Sequence, residues 1–157
     1  MSILRAALAT RPLAIIAAGV GAGLTIASLV LLHGATEIAL LVPSFGASCA
    51  LVFGVPGSPF ARPASVIGGH LVSSAVGLIA MMLFGHGIAA MAIGVGGAIA
   101  AMMVTRTMHP PAGGDPLIII ATSAAPTFLV APMLLGTVAI SLAGFIYRAL
   151  IGLRDQK

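Results

Sequence analysis

Long apolar runs with very few charges between them constrain the fold of this chain more than any other feature. Of its 157 residues, 60% are hydrophobic and 6% are charged. No soluble domain of this size could keep so apolar a surface in water. The few basic residues lie near the ends of the apolar runs, without the clustered Lys/Arg and aromatic residues typical of nucleic-acid binding. The composition therefore predicts a protein embedded in a lipid bilayer, with no nucleic acid among its partners.

Six apolar segments can be drawn along the chain. They are Pro12–Leu32, Ile38–Val55, Ala64–Phe84, Gly87–Val104, Asp115–Ala125 and Phe128–Tyr147. The first, third, fourth and sixth have roughly the 20 residues that a helix needs to cross about 30 Å of hydrocarbon. The second is interrupted at Pro43–Ser48, and the fifth is short. We therefore predict an all-α membrane protein of about six transmembrane segments, four full helices and two broken or half helices.

The entry to the fifth segment is the least helix-like part of the chain. Pro110 and Pro111 disfavour helix, and Gly113 and Gly114 allow the backbone to turn or to approach a ligand. Asp115 before a proline indicates an N-cap, so a helix is expected to restart there. An extended stretch over residues 109–115 would add up to about 22 Å and complete a broken crossing. Such backbone is tolerated at membrane depth where protein buries it or where it lines a cavity.

Basic residues alternate between successive connections and so predict the topology. They occur in the two terminal tails and in the connections that contain Arg62 and Arg106, and they are missing from the intervening connections. The positive-inside rule then gives six crossings of the cell (inner) membrane with both termini in the cytoplasm. Four crossings with two re-entrant loops would instead place Arg62 and Arg106 outside. We predict one domain over residues 1–157, with cytoplasmic tails at 1–11 and 148–157 and a membrane region at 12–147.

The two halves of the chain resemble each other weakly. Gly19–Gly23 is echoed by Gly94–Ala98, and Pro43–Ala47 is echoed by Pro110–Gly114. With three crossings in each half, such a repeat would be inverted in the membrane, and paired interrupted segments are typical of transport sites. We predict a 3+3 inverted repeat; the alternative is chance recurrence in a chain with 20 glycines.

Two motifs resemble the HPP family of integral membrane proteins. The first is His109–Gly113, which begins with the tripeptide His-Pro-Pro, and the second is Pro43–Ser48, followed by Pro56–Pro59 and Gly68–His70. The resemblance covers about residues 12–147. It implies a small membrane domain usually described with four spans, and a transport role that some plastid and cyanobacterial members have for nitrite. Any soluble regulatory partner is expected to be a separate chain.

The two interrupted segments form the predicted substrate site. A helix that begins inside the membrane presents free backbone N–H groups and the positive end of its dipole, which favour a small anion. The candidate residues are Ser44, Phe45, Gly46, Ala47, Ser48, His109, Pro110, Pro111, Ala112, Gly113, Gly114 and Asp115, with His70, Arg62 and Arg106 as secondary candidates. An ionised Asp115 would weaken an anion site unless it is protonated or points away. One consequence is proton-coupled movement, with Asp115 or His109 carrying the proton, and the other is a neutral or cationic substrate. The prolines and glycines have the alternative role of shaping and packing the helices.

Other site chemistry is not predicted. Cys49 is the only cysteine, the histidines lack the close spacing of zinc ligands, and no nucleophile has an adjacent base. We expect no metal, no cofactor and no enzyme activity, and we expect His86 to be a solvated turn residue. The leading hypothesis is a transporter or channel for a small inorganic anion, nitrite first. The alternative is a non-transporting membrane scaffold or sensor subunit. The glycines at Gly19–Gly23 and Gly94–Gly97 predict close packing in a homodimer.

Overall fold

Helices make up most of the chain. The structure is a computed structural model and describes residues 12–36 and 40–151. Its α-helices are α1 Pro12–Thr36, α2 Pro43–Gly54, α3 Pro63–Phe84, α4 Ile88–Val104, α5 Asp115–Thr122 and α6 Leu135–Leu150. Short 3-10 helices at Pro59–Ala61, Pro110–Gly114 and Pro126–Leu129 precede α3, α5 and the π-helical segment Val130–Leu134 that leads into α6. The prediction of an all-helical membrane protein with six helices is confirmed over the described residues.

Three helical stretches are long and apolar enough to cross a membrane. They are Pro12–Ala35 with 24 residues, Pro63–Phe84 with 22 and Pro126–Leu150 with 25. The fourth segment is expected from the sequence to be a full helix, but α4 has only 17 residues, or about 26 Å. It ends before Arg106, whose φ of 57° is incompatible with a right-handed helix. Among the described residues, three helical stretches, and not the predicted four, are long enough to cross a membrane.

The last long stretch is not the single straight helix that the sequence predicts. Ala131 has φ −130° and ψ 117°, which interrupts the helix just before Pro132. A residue before proline avoids the α region because the proline ring crowds its backbone. In the sequence, Pro132 could have indicated this bend.

The second segment is a short continuous helix rather than an interrupted one. Leu40–Val42 are non-helical, and α2 then runs without a break from Pro43 to Gly54. Pro43 is tolerated because the first N–H groups of a helix have no intrahelical partner. The helix has 12 residues, or about 18 Å. Its buried face contains Ser44, Phe45 and Ser48, whereas Gly46 and Ala47 are exposed on the opposite face.

The entry to the fifth segment differs from its prediction in two ways. Pro110–Gly114 is a 3-10 helix and not extended, so it covers only about 10 Å at roughly 2 Å per residue. Asp115 is not an N-cap, because it is already helical with φ −61° and ψ −41°, and its side chain makes no capping bond. Neither Gly113 nor Gly114 has a positive φ, so the turn does not depend on glycine there. The Asp115 side chain is therefore available to a neighbouring helix.

Helix contacts follow the same plan in both halves. Helix α1 packs against α2 and α6, and α4 packs against α5 and α3. Helix α2 also packs against α6, α5 also packs against α3, and α3 and α6 pack against each other. If α1, α2 and α3 are exchanged for α4, α5 and α6, respectively, the same pairs of helices remain in contact.

Glycines allow the close helix contacts. A Cβ atom at Gly77 of α3 would lie 2.8 Å from Cα of Pro116 in α5, and one at Gly144 of α6 would overlap Val52 of α2. Gly94 is likewise packed inside the chain, where a Cβ atom would lie 3.1 Å from Cβ of Pro116. Gly94 is therefore not available to the dimer surface that the sequence predicts at Gly94–Gly97. Gly19 and Gly23 of α1 remain open, because a Cβ atom at either would have no other atom of residues 12–36 or 40–151 within 4 Å.

Candidate functional site

Four polar residues from different parts of the chain meet inside the protein. Ser48 lies on α2, His70 on α3, His109 just before the 3-10 helix, and Asp115 at the first position of α5. All four side chains are 0% exposed. We call these four residues the buried polar cluster. Because burying ionisable groups is costly unless they are hydrogen-bonded or paired, their partners decide what the cluster can do.

Ser48 joins the two histidines. Its Oγ atom lies 2.8 Å from Nε2 of His70 and 2.9 Å from Nε2 of His109. The other ring nitrogen of His70, Nδ1, lies 2.7 Å from Oδ2 of Asp115. The other ring nitrogen of His109 lies 2.8 Å from the carbonyl oxygen of Phe60. The result is a continuous chain of hydrogen bonds from Asp115 through His70 and Ser48 to His109.

The outer bonds determine where each ring carries hydrogen. The Phe60 carbonyl can only accept, so Nδ1–H of His109 donates to it. An ionised Asp115 also only accepts, and Nδ1–H of His70 then donates to its carboxylate. In that arrangement both Nε2 atoms turn towards the same serine hydroxyl.

Local sequence explains how the rings can approach so closely. A Cβ atom at Gly69 would lie 2.6 Å from Cβ of His109 and 2.8 Å from the carbonyl oxygen of Thr107. Only glycine at this position lets residues 107–109 run against α3. His109 itself is extended, with φ −138° and ψ 97°, as expected for a residue before proline. Its ring centroid lies 5.0 Å from that of His70.

Two serines that are not among the predicted site residues attach α3 to the start of α5. Ser73 Oγ donates to the carbonyl oxygen of Ala112 at 2.6 Å. Ser74 Oγ makes a longer contact of 3.4 Å with the same Asp115 oxygen that His70 binds. Ser73 and Ser74 follow His70 by three and four residues, respectively, and so lie on the same face of α3. The spacing from His70 could have identified both serines from the sequence.

Some polar atoms of the site have no protein partner in the described part of the chain. Oδ1 of Asp115 and Oγ of Ser44 are buried without a hydrogen bond. A carboxylate oxygen left in this way is expensive in a closed interior. These atoms have unused capacity to accept a hydrogen bond, and Ser44 can also donate one.

The structure brings together only part of the predicted site. Ser48, His109 and Asp115 are linked through His70, which the sequence offers only as a secondary candidate. Phe45 forms a wall of the site, with its ring edge-on to His70 at 5.5 Å, and Ala112 contributes its carbonyl oxygen. Pro111 is half-buried. The predicted residues that lie on exposed or partly exposed surface are Gly46, Ala47, Pro110, Gly113, Gly114, Arg62 and Arg106.

His86 has a structural contact that is not expected of a solvated turn residue. It is exposed, but its Nδ1–H donates to the carbonyl oxygen of Ile120 at 3.1 Å, connecting the α3–α4 turn to α5. Among residues 12–36 and 40–151, no group of three His, Cys, Asp or Glu residues is placed to hold a metal ion. Cys49 is a free, buried thiol within the apolar core.

Comparison with known proteins agrees with the helical membrane architecture. The family model described as "HPP, transmembrane region" matches residues 8–156. Two transmembrane proteins of Dictyostelium discoideum are 41% and 37% identical to this chain in alignments of 86 residues that cover 52% of it. The match spans only 28% and 30% of those relatives. No solved structure matches the chain. The family match over nearly the whole chain shows that this is a multi-pass membrane protein belonging to the HPP transmembrane-region family.

Proposed function

We propose that this protein carries a small inorganic anion across the membrane, with nitrite as the first candidate. The observation that carries the proposal is the buried polar cluster. Ionisable residues inside a membrane protein are costly and mark solute or proton pathways far more often than packing positions. Here two histidines and one aspartate are fully enclosed in a chain of membrane-spanning helices.

Anion selectivity is supported by the helix ends near the cluster. Helices α2 and α5 begin at Pro43 and Asp115, and neither start has a side-chain cap. Their dipoles favour negative charge, but at α5 the Asp115 N–H already donates to the carbonyl oxygen of Ala112 and Pro116 has no N–H. Asp115 would oppose an anion if it stood alone, but its contact with His70 allows a protonated imidazole to offset the carboxylate. This pairing removes the main objection to an anionic substrate.

The burial of the cluster favours a carrier over an open channel. Because Ser48, His70, His109 and Asp115 are all 0% exposed, a solute can reach them only if helices move apart. The matching contacts of the two three-helix halves support the repeat on which such movement is commonly based. We propose an inverted repeat on this basis. We also propose six crossings of the cell (inner) membrane with cytoplasmic termini, from the alternation of basic residues along the chain.

Purified protein in liposomes tests the proposal. Nitrite, nitrate, formate and proton flux would be measured beside protein-free liposomes, which report the unaided leak. We expect nitrite flux above that leak and a drop of roughly tenfold or more, equivalent to losing about 1.4 kcal/mol, when His109 is replaced by alanine. His86→Ala is the matched control, because it removes a histidine outside the cluster.

The control separates transport from a scaffold or sensor role. If the protein is a transporter, His86→Ala keeps its flux, and His109→Ala loses flux while still eluting as folded protein. Folded wild-type protein that moves none of these solutes faster than empty liposomes would contradict the proposal and favour the scaffold alternative.

A further inference from the structure

We infer that the buried polar cluster is a proton-binding site and that the Ser48 hydroxyl passes the proton between His70 and His109. The number and path of protons in the cluster follow from matching donors to acceptors along the observed hydrogen bonds, whichever solute the protein moves.

The cluster lacks donors when it holds no added proton. With Asp115 ionised and both rings neutral, each Nδ1 carries the ring hydrogen, so each Nε2 has only a lone pair. Both Nε2 atoms lie within 2.9 Å of Ser48 Oγ, and a hydroxyl has one hydrogen to give. One Nε2 is then left facing an oxygen lone pair in a closed interior, which is unfavourable.

One added proton satisfies every bond of the chain. Nε2–H of one histidine donates to Ser48 Oγ, and the Ser48 hydroxyl donates to Nε2 of the other. The carboxylate and the single imidazolium cancel, so the cluster is neutral overall. Moving the proton from His70 to Asp115 gives a second arrangement with the same number of protons and the same bonds. The observed geometry therefore fits a cluster that retains one proton.

A second added proton can also be accommodated. Ser48 Oγ lies 3.0 Å from the carbonyl oxygen of Ser44, one helical turn earlier. When both Nε2 atoms carry hydrogen, both can donate to Ser48, whose own hydrogen then turns to Ser44. The cluster then has a net charge of +1. The Ser48 hydroxyl thus donates to one of the two Nε2 atoms when the cluster holds one added proton and to the Ser44 carbonyl oxygen when it holds two.

Proton transfer through Ser48 balances without any other reactant. Nε2–H of His70 breaks as a new O–H bond forms at Ser48, while the original Ser48 hydrogen moves to Nε2 of His109. The hydroxyl is unchanged and one positive charge has moved between the rings. The reverse step follows the same bonds.

No other titratable side chain on the helices packed around His70 competes for this role in the described part of the chain. Helix α4 packs against α3 and α5 and contains no titratable residue. On α2 the other titratable group is Cys49, which lies in the apolar core. Helix α6 contributes Tyr147, whose ring packs on Phe53, and Arg148 near its C-terminal end. The groups facing His70 are Ser48 on α2, His109, and Asp115 on α5.

Nitrogen-15 NMR of labelled histidine counts the protons directly. Replacing His33 and His86 by glutamine leaves His70 and His109 as the only histidines, in full-length protein in nanodiscs near neutral pH. If the added proton lies on a histidine, we expect three hydrogens on the four ring nitrogens. If it lies on Asp115, we expect two hydrogens on the ring nitrogens and the infrared C=O band of a protonated carboxyl group, which should disappear in Asp115→Asn. Exchange through Ser48 should give both Nε2 atoms intermediate shifts.

Ser48 variants test the relay. We expect Ser48→Ala to separate the two Nε2 signals, and Ser48→Thr, which keeps a hydroxyl, to restore the averaging. Ser141→Ala removes another buried serine outside the cluster and should leave both signals unchanged. Two unprotonated Nε2 atoms with an ionised Asp115 would overturn the proton site. Unchanged averaging in Ser48→Ala would overturn the relay.

Discussion

His70 Nδ1 and Asp115 Oδ2 lie 2.7 Å apart, and both side chains are completely buried. This contact joins the middle of α3 to the first residue of α5. Asp115 is already helical and does not occupy the N-cap position, so its carboxylate can face α3. Breaking a buried pair by removing one partner leaves an uncompensated group, which costs far more than an exposed pair contributes.

Asp115→Asn should stop proton-linked accumulation while sparing exchange. Asparagine keeps an oxygen that can accept from His70, but it has no charge to offset an added proton. We therefore expect nitrite counterflow to continue, uphill accumulation driven by a pH gradient to cease, and the free energy of unfolding to fall by about 1–3 kcal/mol. Liposome flux and thermal unfolding measure these effects.

Ser74→Ala is the control for this change. It removes the weaker, 3.4 Å contact to the same carboxylate oxygen and leaves the charge in place. Accumulation should persist with a smaller loss of stability. If Asp115→Asn accumulated nitrite as the wild type does, Asp115 would have no part in proton coupling.

Gly69→Ala should disturb the site from a position that has no polar chemistry. The added methyl group would lie 2.6 Å from Cβ of His109, so residues 107–109 must move away from α3. Overpacking of this kind costs about 1–3 kcal/mol. We expect a lower melting temperature and lost flux together.

Gly46→Ala provides the comparison on α2. Gly46 is exposed, with no atom within 4 Å of a Cβ position, and alanine favours helix over glycine by roughly 0.5–1 kcal/mol. Its melting temperature should stay the same or rise. Equal destabilisation of both variants would show that the close approach at Gly69 is not what holds the site.

Sequence reasoning identified the helices better than their breaks. Apolar runs located α1, α3 and α5 because a membrane helix must be continuously apolar. The fourth run, Gly87–Val104, ends at the same residue as α4, but its length was interpreted as a full crossing. The runs did not reveal the bend before Pro132, because it depends on a single backbone angle. Pro43 was interpreted as an interruption although it begins a helix, since proline is compatible with either position.

The members of the buried polar cluster were more predictable than their contacts. His109 and Asp115 stood out because polar residues are rare in such a chain. The pairing of Ser48 with His70 depends on how α2 and α3 pack, and residues 22 positions apart give no periodic signal. The sequence shows that residue 69 is glycine, but only the packed structure shows that His109 lies against it.

Dimerisation should depend on α1. In its apolar window only 11% of the residues are buried within the chain, and Gly19 and Gly23 form an open face that allows close helix packing. We expect a homodimer in nanodiscs by mass photometry, and a shift to monomer when both glycines are replaced by isoleucine.

Gly96→Ile is the matched control for the dimer. Gly96 is exposed on α4, and no atom of the described residues lies within 4 Å of a Cβ position there, so the variant adds one isoleucine elsewhere on the lipid-facing surface. It should remain dimeric. Wild-type protein that is monomeric at all concentrations would contradict the predicted dimer.

The topology can be tested with two introduced cysteines in a Cys49→Ala background, which removes the only native thiol. Gly34 is exposed in the last turn of α1, and no atom of the described residues lies within 4 Å of a Cβ position there. Gly57 is equally open, whereas Oγ of the neighbouring Ser58 accepts a hydrogen bond from the Phe60 N–H and is better left in place.

With six crossings and cytoplasmic termini, the connection after α1 lies outside and the connection containing Arg62 lies inside. A membrane-impermeant thiol reagent should therefore label Gly34→Cys in intact cells and label Gly57→Cys only after permeabilisation. Both positions should react in detergent, which confirms that each thiol is accessible. External labelling of Gly57→Cys would support four crossings with re-entrant segments, because only that arrangement places Arg62 outside, and it would remove the inverted repeat from the proposed carrier.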